Sequence, residues 1–148
     1  MAIIDRNTIF FEGPLMGPVA GAPVALTALT LPGRMEPMPV RISVTEAFDP
    51  AEVERLVLTL EEAGTADAPD EGEGAWSAVP GASWTHAGEA LVRGARLGPR
   101  FLPHGVRASF LRLKLAPALK EGKSPSKGRL FAALMREDEQ PWEPALQK

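Results

Sequence analysis

ASFLRLKLAP, residues 108–117, is the stretch that decides the fold class of this 148-residue chain. A two-residue period of apolar and polar side chains is typical of a β-strand that buries one face, because successive side chains of a strand point to opposite sides. The stretch therefore predicts a strand whose leucines face a core. Its apolar residues Leu111, Leu113 and Leu115 alternate with the basic residues Arg112 and Lys114.

Three other segments have strand character. PVRISVTEAF (39–48) and ERLVLTLEE (54–62) repeat the two-residue period. RLFAALMR (129–136) contains Leu, Ala and Met, which favour helices, but its short length and the turn residues around it favour a final strand. The alternating apolar residues of the first two segments are Val40, Ile42 and Val44, and Leu56, Leu58 and Leu60. VALTALTL (24–31), AWSAVP (75–80) and EALVRGARL (89–97) are weaker strand candidates.

Glycine and proline contribute 14 and 15 residues, which leaves little room for long helices. We expect helix to be confined to one turn at 50–55, with Asp49 as its cap and Pro50 in its first position. About eight short strands separated by turns predict a single all-β domain, a jelly roll or another β-sandwich. The expected divisions are an extended N-terminal arm (1–23), the sandwich (24–136) and a surface C-terminal tail (137–148).

The first 23 residues begin with apolar side chains and continue with a breaker-rich run, GPLMGPVAGAP (13–23). This composition is typical of an extended arm or an edge strand, since glycine and proline disfavour helices and central strands. The apolar side chains are too few to form a core and must pack against another surface. They are Ile3, Ile4, Ile9, Phe10 and Phe11.

Charge is unevenly distributed along the chain. Residues 1–92 carry 4 basic and 14 acidic side chains, whereas residues 93–148 carry 12 basic and 5 acidic ones. Either the strands of both halves interleave, or the molecule has oppositely charged faces for different partners. Nucleic-acid binding is not favoured, because only Phe101 and Phe110 lie among the basic residues of 93–127 and the chain has no tyrosine.

The composition also bears on location. The chain has no cysteine and therefore no disulfide or thiolate metal site. The opening MAIIDRNTIFF lacks the basic start and long apolar run of a signal peptide, and no stretch approaches the ~20 apolar residues of a membrane helix. We expect synthesis and folding in a cytosol, without a membrane.

No motif supports catalysis or a cofactor. The two histidines, His86 and His104, have no spacing that relates them to Ser83 or Ser109 as a nucleophile would require. The stretch after Asp67 lacks calcium ligands at the required positions, where Pro69 and Ala78 stand. Gly122-Lys123-Ser124 resembles the end of a phosphate-binding loop, but Pro117 replaces its first glycine. We expect no enzymatic activity, no cofactor and no metal site.

The order of the segments resembles a known family. The chain opens with M-x-I-I-D-x-x-T-x-F and later contains F-L-R-L-K-L, a small Gly/Pro/Ser loop and the closing strand G-R-L-F-A-A-L. This is similar to the small jelly-roll capsid cement, or decoration, proteins of tailed bacteriophages. The middle of the chain, 50–107, matches only in strand rhythm, and the acidic loop 61–74 and the tail after Arg136 look like additions. The matching positions are Ile3, Ile4, Asp5, Thr8 and Phe10, and Leu111, Arg112 and Leu113.

The resemblance implies a structural virion protein that binds the outside of the mature phage head. It would bridge subunits of the major capsid protein, as a homotrimer on three-fold or quasi-three-fold positions. Its location would be the outer capsid surface, after synthesis in the host cytoplasm. The apolar opening would pack on the protein's own sandwich, a sister subunit or the shell. The proposed capsid and trimer interface is Ile3, Ile4, Asp5, Thr8, Phe10, Phe11 and Arg112.

Two other functions remain open at this stage. One is a different phage structural β-protein, such as a head-completion or tail-associated protein. The other is a carbohydrate-binding β-sandwich module, in which exposed tryptophans among Trp76, Trp84 and Trp142 would stack on sugar rings.

Overall fold

The computed structural model describes residues 8–26, 39–103 and 106–135. Within them the chain forms nine strands and a one-turn 3-10 helix, Gly88–Ala90. In the described ranges no helix is long and apolar enough to cross a membrane. The strands are β1 (Ile9–Pro14), β2 (Val19–Ala20), β3 (Val24–Ala25), β4 (Val40–Glu46), β5 (Val53–Ala63), β6 (Ser77–Ala87), β7 (Arg96–Leu97), β8 (Phe110–Leu119) and β9 (Arg129–Leu134).

The strands form two antiparallel sheets, which confirms the predicted all-β sandwich. Sheet A has the order β1-β9-β4-β7, and sheet B has the order β2-β8-β5-β6, with β3 also paired to β8. In sheet A, strands from the acidic first part of the chain alternate with strands from the basic last part, and in sheet B β8 of the last part lies between β2 and β5 of the first. The strands of the two parts therefore interleave, as in the first of the two arrangements considered above.

The core lies between the sheets and is built by the alternating leucines that the sequence singles out. Leu58 of β5 lies opposite Leu115 of β8, and Leu60 lies opposite Leu113. All four are at most 4% exposed. Complete burial of such side chains contributes about 1.5–3 kcal/mol each before ordering costs. Sheet A closes the core with Val40, Ile42, Val44, Leu130, Ala132 and Leu134.

The N-terminal segment belongs to the sandwich from Ile9 onward. β1 is the edge strand of sheet A and pairs with β9, so the edge-strand interpretation applies to residues 9–14. A bulge between Ile9 and Phe11 lets Phe10, which is 2% exposed, enter the core. The carbonyl of Phe10 accepts a hydrogen bond from the amide of Ala22 at 2.8 Å, as the chain passes from sheet A to sheet B. The strand Ile9–Pro14, which lies within the predicted arm 1–23, is therefore part of the sandwich.

Two other predictions need correction. The expected helical turn at 50–55 is a single turn at 50–52, because Val53 is buried and starts β5. The side chain of Asp49 does cap this turn, accepting a bond from the amide of Ala51 at 2.9 Å.

The candidate strand 89–97 is a strand only at its last two residues, since a turn closed by the Ala95 amide and the Val92 carbonyl precedes β7. Of the segment 24–31, β3 occupies 24–25 and the rest lies outside the described residues, as does the tail 137–148.

Gly88, at the end of β6, generates a stability prediction. A Cβ atom on Gly88 would overlap the carbonyl oxygen of Val53, which is backbone and cannot rotate away. We expect Gly88→Ala to lower the free energy of unfolding by about 1–3 kcal/mol in urea, the usual cost of overpacking. Gly64→Ala is the matched control, since a Cβ there has no atom within 4 Å. Equal midpoints for the two variants would contradict this account of the close approach.

Candidate functional site

The described residues of the predicted interface, Thr8, Phe10, Phe11 and Arg112, lie in different parts of the sandwich. Thr8 and Phe10 are buried at 3% and 2% exposure in the protein's own sandwich, and Phe11 is half-buried against the same core. Arg112 lies on sheet B, on the face that points away from the core. Of the three surfaces considered for the apolar opening, Phe10 and Phe11 therefore pack on the protein's own sandwich. Ile3, Ile4 and Asp5 lie outside the described residues.

Arg112 is the centre of a polar cluster on the outer face of sheet B. Its Nε donates to Oε1 of Glu61 at 2.7 Å, and its Nη2 donates to Oδ1 of Asp70 at 2.9 Å. The guanidinium carbon lies 4.6 Å from the ring centroid of Trp76, which is a cation–π contact. Strand register brings the first pair together, because Glu61 of β5 is directly opposite Arg112 of β8.

The electrostatics of this cluster indicate an anchor for the acidic loop. Burial by itself lowers the pKa of Arg112, but the hydrogen bonds and charges of Glu61 and Asp70 outweigh it and raise the pKa above its ordinary value. The side chains of Arg112 and Glu61 are only 14% and 13% exposed. Arg112 thus holds the loop that contains Asp70 and Trp76 against the sheet, and its charge is already paired within the chain.

Three glutamates hold other loops in the same manner. Oε1 of Glu62 accepts the amides of Arg107 and Ala108 at 2.7 and 2.9 Å. Oε1 of Glu52 accepts the amide and hydroxyl of Ser126 at 3.1 and 2.8 Å. Oε1 of Glu46 accepts the amide of Gly128 at 2.9 Å. Each carboxylate joins segments that are distant in sequence, so we call the three the carboxylate clamps.

The outer face of sheet A carries a shallow concavity of about 560 Å³. The half-buried ring of Phe131 on β9 is its apolar centre, with the polar residues Glu12 of β1 and Ser43 of β4 as cross-strand neighbours. Arg41 and Arg129 also line it. An apolar centre surrounded by charged groups of both signs suits a protein surface better than a single small ion.

The geometry separates His86 from its candidate nucleophile. His86 pairs with Leu56 on the core side of β6, whereas Ser83 pairs with Thr59 on the outer side, and its Oγ lies 3.3 Å from Thr59 Oγ1. Nε2 of His86 instead accepts the amide of Gly98 at 3.0 Å. His104 lies outside the described residues. Among the described residues no group of three or more acidic or histidine side chains is placed to hold a metal ion.

The two described tryptophans are buried or partly buried. Trp76 is 7% exposed and lies against Arg112. Trp84 is half-buried and packs against the core from β6. Trp142 lies outside the described residues. Neither described tryptophan forms the exposed platform that a carbohydrate-binding module needs, so the structure offers no observation in favour of that function.

Sequence reasoning found Arg112 but missed its partners and the clamps. Glu61 and Arg112 stand on strands that were both predicted, and the pair follows once β5 and β8 are aligned by their leucines. Asp70 and Trp76 carry no such signal, because they lie in a loop without periodicity. No family model matches the chain, and no curated protein matches it.

The Arg112 cluster predicts a large difference between two arginine substitutions. Arg112→Met should lower the free energy of unfolding by about 1–3 kcal/mol, since the nearly buried Glu61 carboxylate is left without its donor. It should also make the loop 64–75 sensitive to limited proteolysis. The control is Arg55→Met, because Arg55 and Glu54 are 3.7 Å apart and exposed, and such pairs contribute about 0–1 kcal/mol. Equal urea midpoints and equal loop cleavage for the two variants would count against the anchor.

His86 predicts a pH dependence of stability. Burial lowers its pKa below the ordinary 6.5, so the unfolded chain binds the proton first as the pH falls. Stability should therefore be highest above pH 6.5 and decrease below it, because protonation also removes the acceptor for the Gly98 amide. Chemical unfolding between pH 7.5 and 5.5 measures this. His86→Gln, which keeps an acceptor without titrating, should lose less stability over that interval; an identical slope would exclude His86 as the origin.

Proposed function

We propose that this chain is a structural virion protein that cements the head of a tailed bacteriophage by bridging subunits of the major capsid protein from outside. The observation that carries the proposal is the strand order of the two sheets, taken with the sequence resemblance. The following observations support it.

The strand order supports a jelly roll. β2 and β3 both pair with β8 and can be counted as one interrupted strand. The eight strands, renumbered in chain order, then have the sheet orders 1-8-3-6 and 2-7-4-5. In each sheet, strands from the beginning and the end of the chain lie side by side, as in the two nested Greek keys of a jelly roll. Viral capsid proteins are among the main users of this architecture, together with lectins and cupins.

A cementing protein must transmit load, and the clamps suit that task. The carboxylate clamps and the Arg112 cluster fix loops at several points around the sandwich. A body whose loops are fixed loses less conformational entropy when it binds, so more of its contact energy is retained as affinity. A homotrimer of such bodies would engage several coat subunits at once and gain avidity.

We place the contact with the coat on the β1 side of the molecule. Ile3, Ile4 and Asp5 lie four to six residues before Ile9, the first residue of β1, and β1 borders the concavity lined by Arg129 and Phe131. Thr8 and Phe10 are used inside the sandwich, and Arg112 is paired with Glu61 and Asp70. Of the interface predicted from the sequence, we keep Ile3, Ile4 and Asp5 in the proposed coat contact. We add to them the outer face of sheet A around this concavity.

The function is tested by removing and restoring the protein on phage heads. Heads stripped of it should release DNA at a lower temperature than native heads, and adding back the pure protein should restore the original temperature. Unassembled coat protein should bind poorly, since the site exists only where subunits meet in the mature lattice. Equal release temperatures for stripped and restored heads would overturn the cementing role.

A deletion of residues 2–7 then tests the contact. It leaves β1 and Phe10 in place, so the thermal unfolding of the free protein should stay close to that of the full chain, while occupancy of stripped heads should fall. Deleting residues 2–11 is the informative comparison, because it also removes Phe10 and should destabilise the sandwich itself. Full occupancy by the shorter deletion would show that the coat contact lies elsewhere.

A further inference from the structure

β6 is a long open edge of sheet B. The strand runs for 11 residues, Ser77–Ala87, and is the terminal strand of the order β2-β8-β5-β6. Its ladder partner is β5, and no backbone group of β6 bonds to any other segment of the described chain. Within the described ranges the backbone groups that point away from β5 are therefore unpaired, and another strand can pair with them.

The other edges of the described sheets carry features that discourage pairing. β1 contains Glu12 and ends at Gly13-Pro14, where proline has no amide to donate. β2 and β7 are each two residues long. Short length, charge and proline are the usual means by which proteins protect sheet edges. β6, by contrast, is long and contains no Asp, Glu, Lys or Arg, and its one proline is Pro80.

One interruption divides β6 and defines its accessible part. Gly81 has a φ of 72° after Pro80, and the register with β5 shifts between Thr59 and Glu61. Such a bulge twists the strand locally, so Ser77–Pro80 is a poor template. The five residues 83–87 pair with β5 without a further shift and form the accessible edge.

This accessible edge is held in place and has small side chains on its exposed face. Trp84 and His86 point toward the core, and Nε2 of His86 accepts the Gly98 amide at 3.0 Å. Ser83, Thr85 and Ala87 are exposed on the outer face. No bulky or charged side chain of the strand therefore stands in the way of a neighbouring backbone.

We propose that the accessible edge of β6 pairs antiparallel with the same edge of a second copy of this chain, about a two-fold axis at Thr85. A two-fold axis brings each residue near its own copy, so a charged residue on the strand would meet its like, which is unfavourable. This edge has none, and it is long enough to form a ladder, which makes it self-complementary. The register opposes Thr85 to Thr85, Ser83 to Ala87 and Trp84 to His86.

The pairing does not rest on the proposed function. It requires only the edge of β6, on sheet B, whereas the proposed coat contact lies on the β1 side of sheet A. Sheet B would continue through the axis into a ten-strand sheet, in which each half has the order β2-β8-β5-β6 with β3 also paired to β8. If the chain also trimerises, this contact would join one trimer to the next.

Charge substitution at Thr85 tests the proposal in solution. Sedimentation velocity of the full chain should show association that increases with concentration. Thr85→Lys and Thr85→Glu should each raise the dissociation constant of this association by roughly fivefold, because like charges would then stand directly opposite each other. An equimolar mixture of the two variants should restore it. Thr45→Lys, at an exposed threonine of a sheet A strand, is the control and should associate like the unmodified chain.

Three results would overturn the pairing: no concentration dependence for the unmodified chain, equal association of Thr85→Lys and the unmodified chain, or no recovery in the mixture. A strand from another protein would then be the remaining occupant of the edge.

The register has its own test, because the chain has no cysteine and any disulfide of a single-cysteine variant joins two copies. Thr85→Cys should cross-link under mild oxidation, since directly opposed residues of an antiparallel pair are about 4.5–5.5 Å apart at Cα. Thr45→Cys should not, and equal rates for both would reject the register.

Discussion

The leucine pairs between β5 and β8 are the contact on which the rest of the molecule depends. Leu58 against Leu115 and Leu60 against Leu113 set the register of the two central strands of sheet B. β8 then carries β2 and β3 on its other side, and β5 carries β6. The same register places Glu61 opposite Arg112 on the outer face, so the anchor of the acidic loop is a consequence of how the core strands align. A slip by one residue would turn the leucines to solvent and separate that ion pair.

The distribution of charge follows from the same topology. The acidic first part of the chain supplies β4 and β5, and the basic last part supplies β8 and β9, which lie beside them. Carboxylates of the first part can therefore reach amides and an arginine of the last part. Glu46, Glu52 and Glu62 bind loops of the second half, and Glu61 binds Arg112. A charge asymmetry along the sequence thus becomes a set of contacts that close the sandwich.

Much of the fold could be predicted from the sequence, because β4, β5, β8 and β9 each bury a regular side-chain pattern. β6 was recognised only at its start, since Pro80-Gly81 breaks the alternation and Ser83, Thr85 and Ala87 are all small. The segment 89–97 has strand composition but turns sharply at Gly94, whose φ is 89°. The Arg112 cluster and the clamps could not be predicted, because they join residues through strand register and loop closure. The sequence leaves three surfaces open for the packing of Phe10, namely the sandwich, a sister subunit and the shell. The bulge in β1 that turns Phe10 inward has no signal in the sequence.

The placement of β1 beside β9 has a mechanical consequence. Ile9, at the beginning of β1, lies opposite Ala133, near the end of β9, so the two described chain ends leave the sandwich at the same side. Tension applied between these ends would load the backbone hydrogen bonds of the β1–β9 ladder one after another, as in the opening of a zipper. Tension that enters through β5 and β8 along their length would instead load many bonds at the same time. The molecule is therefore mechanically anisotropic, with its compliant direction at the termini and its stiff direction along the central strands of sheet B.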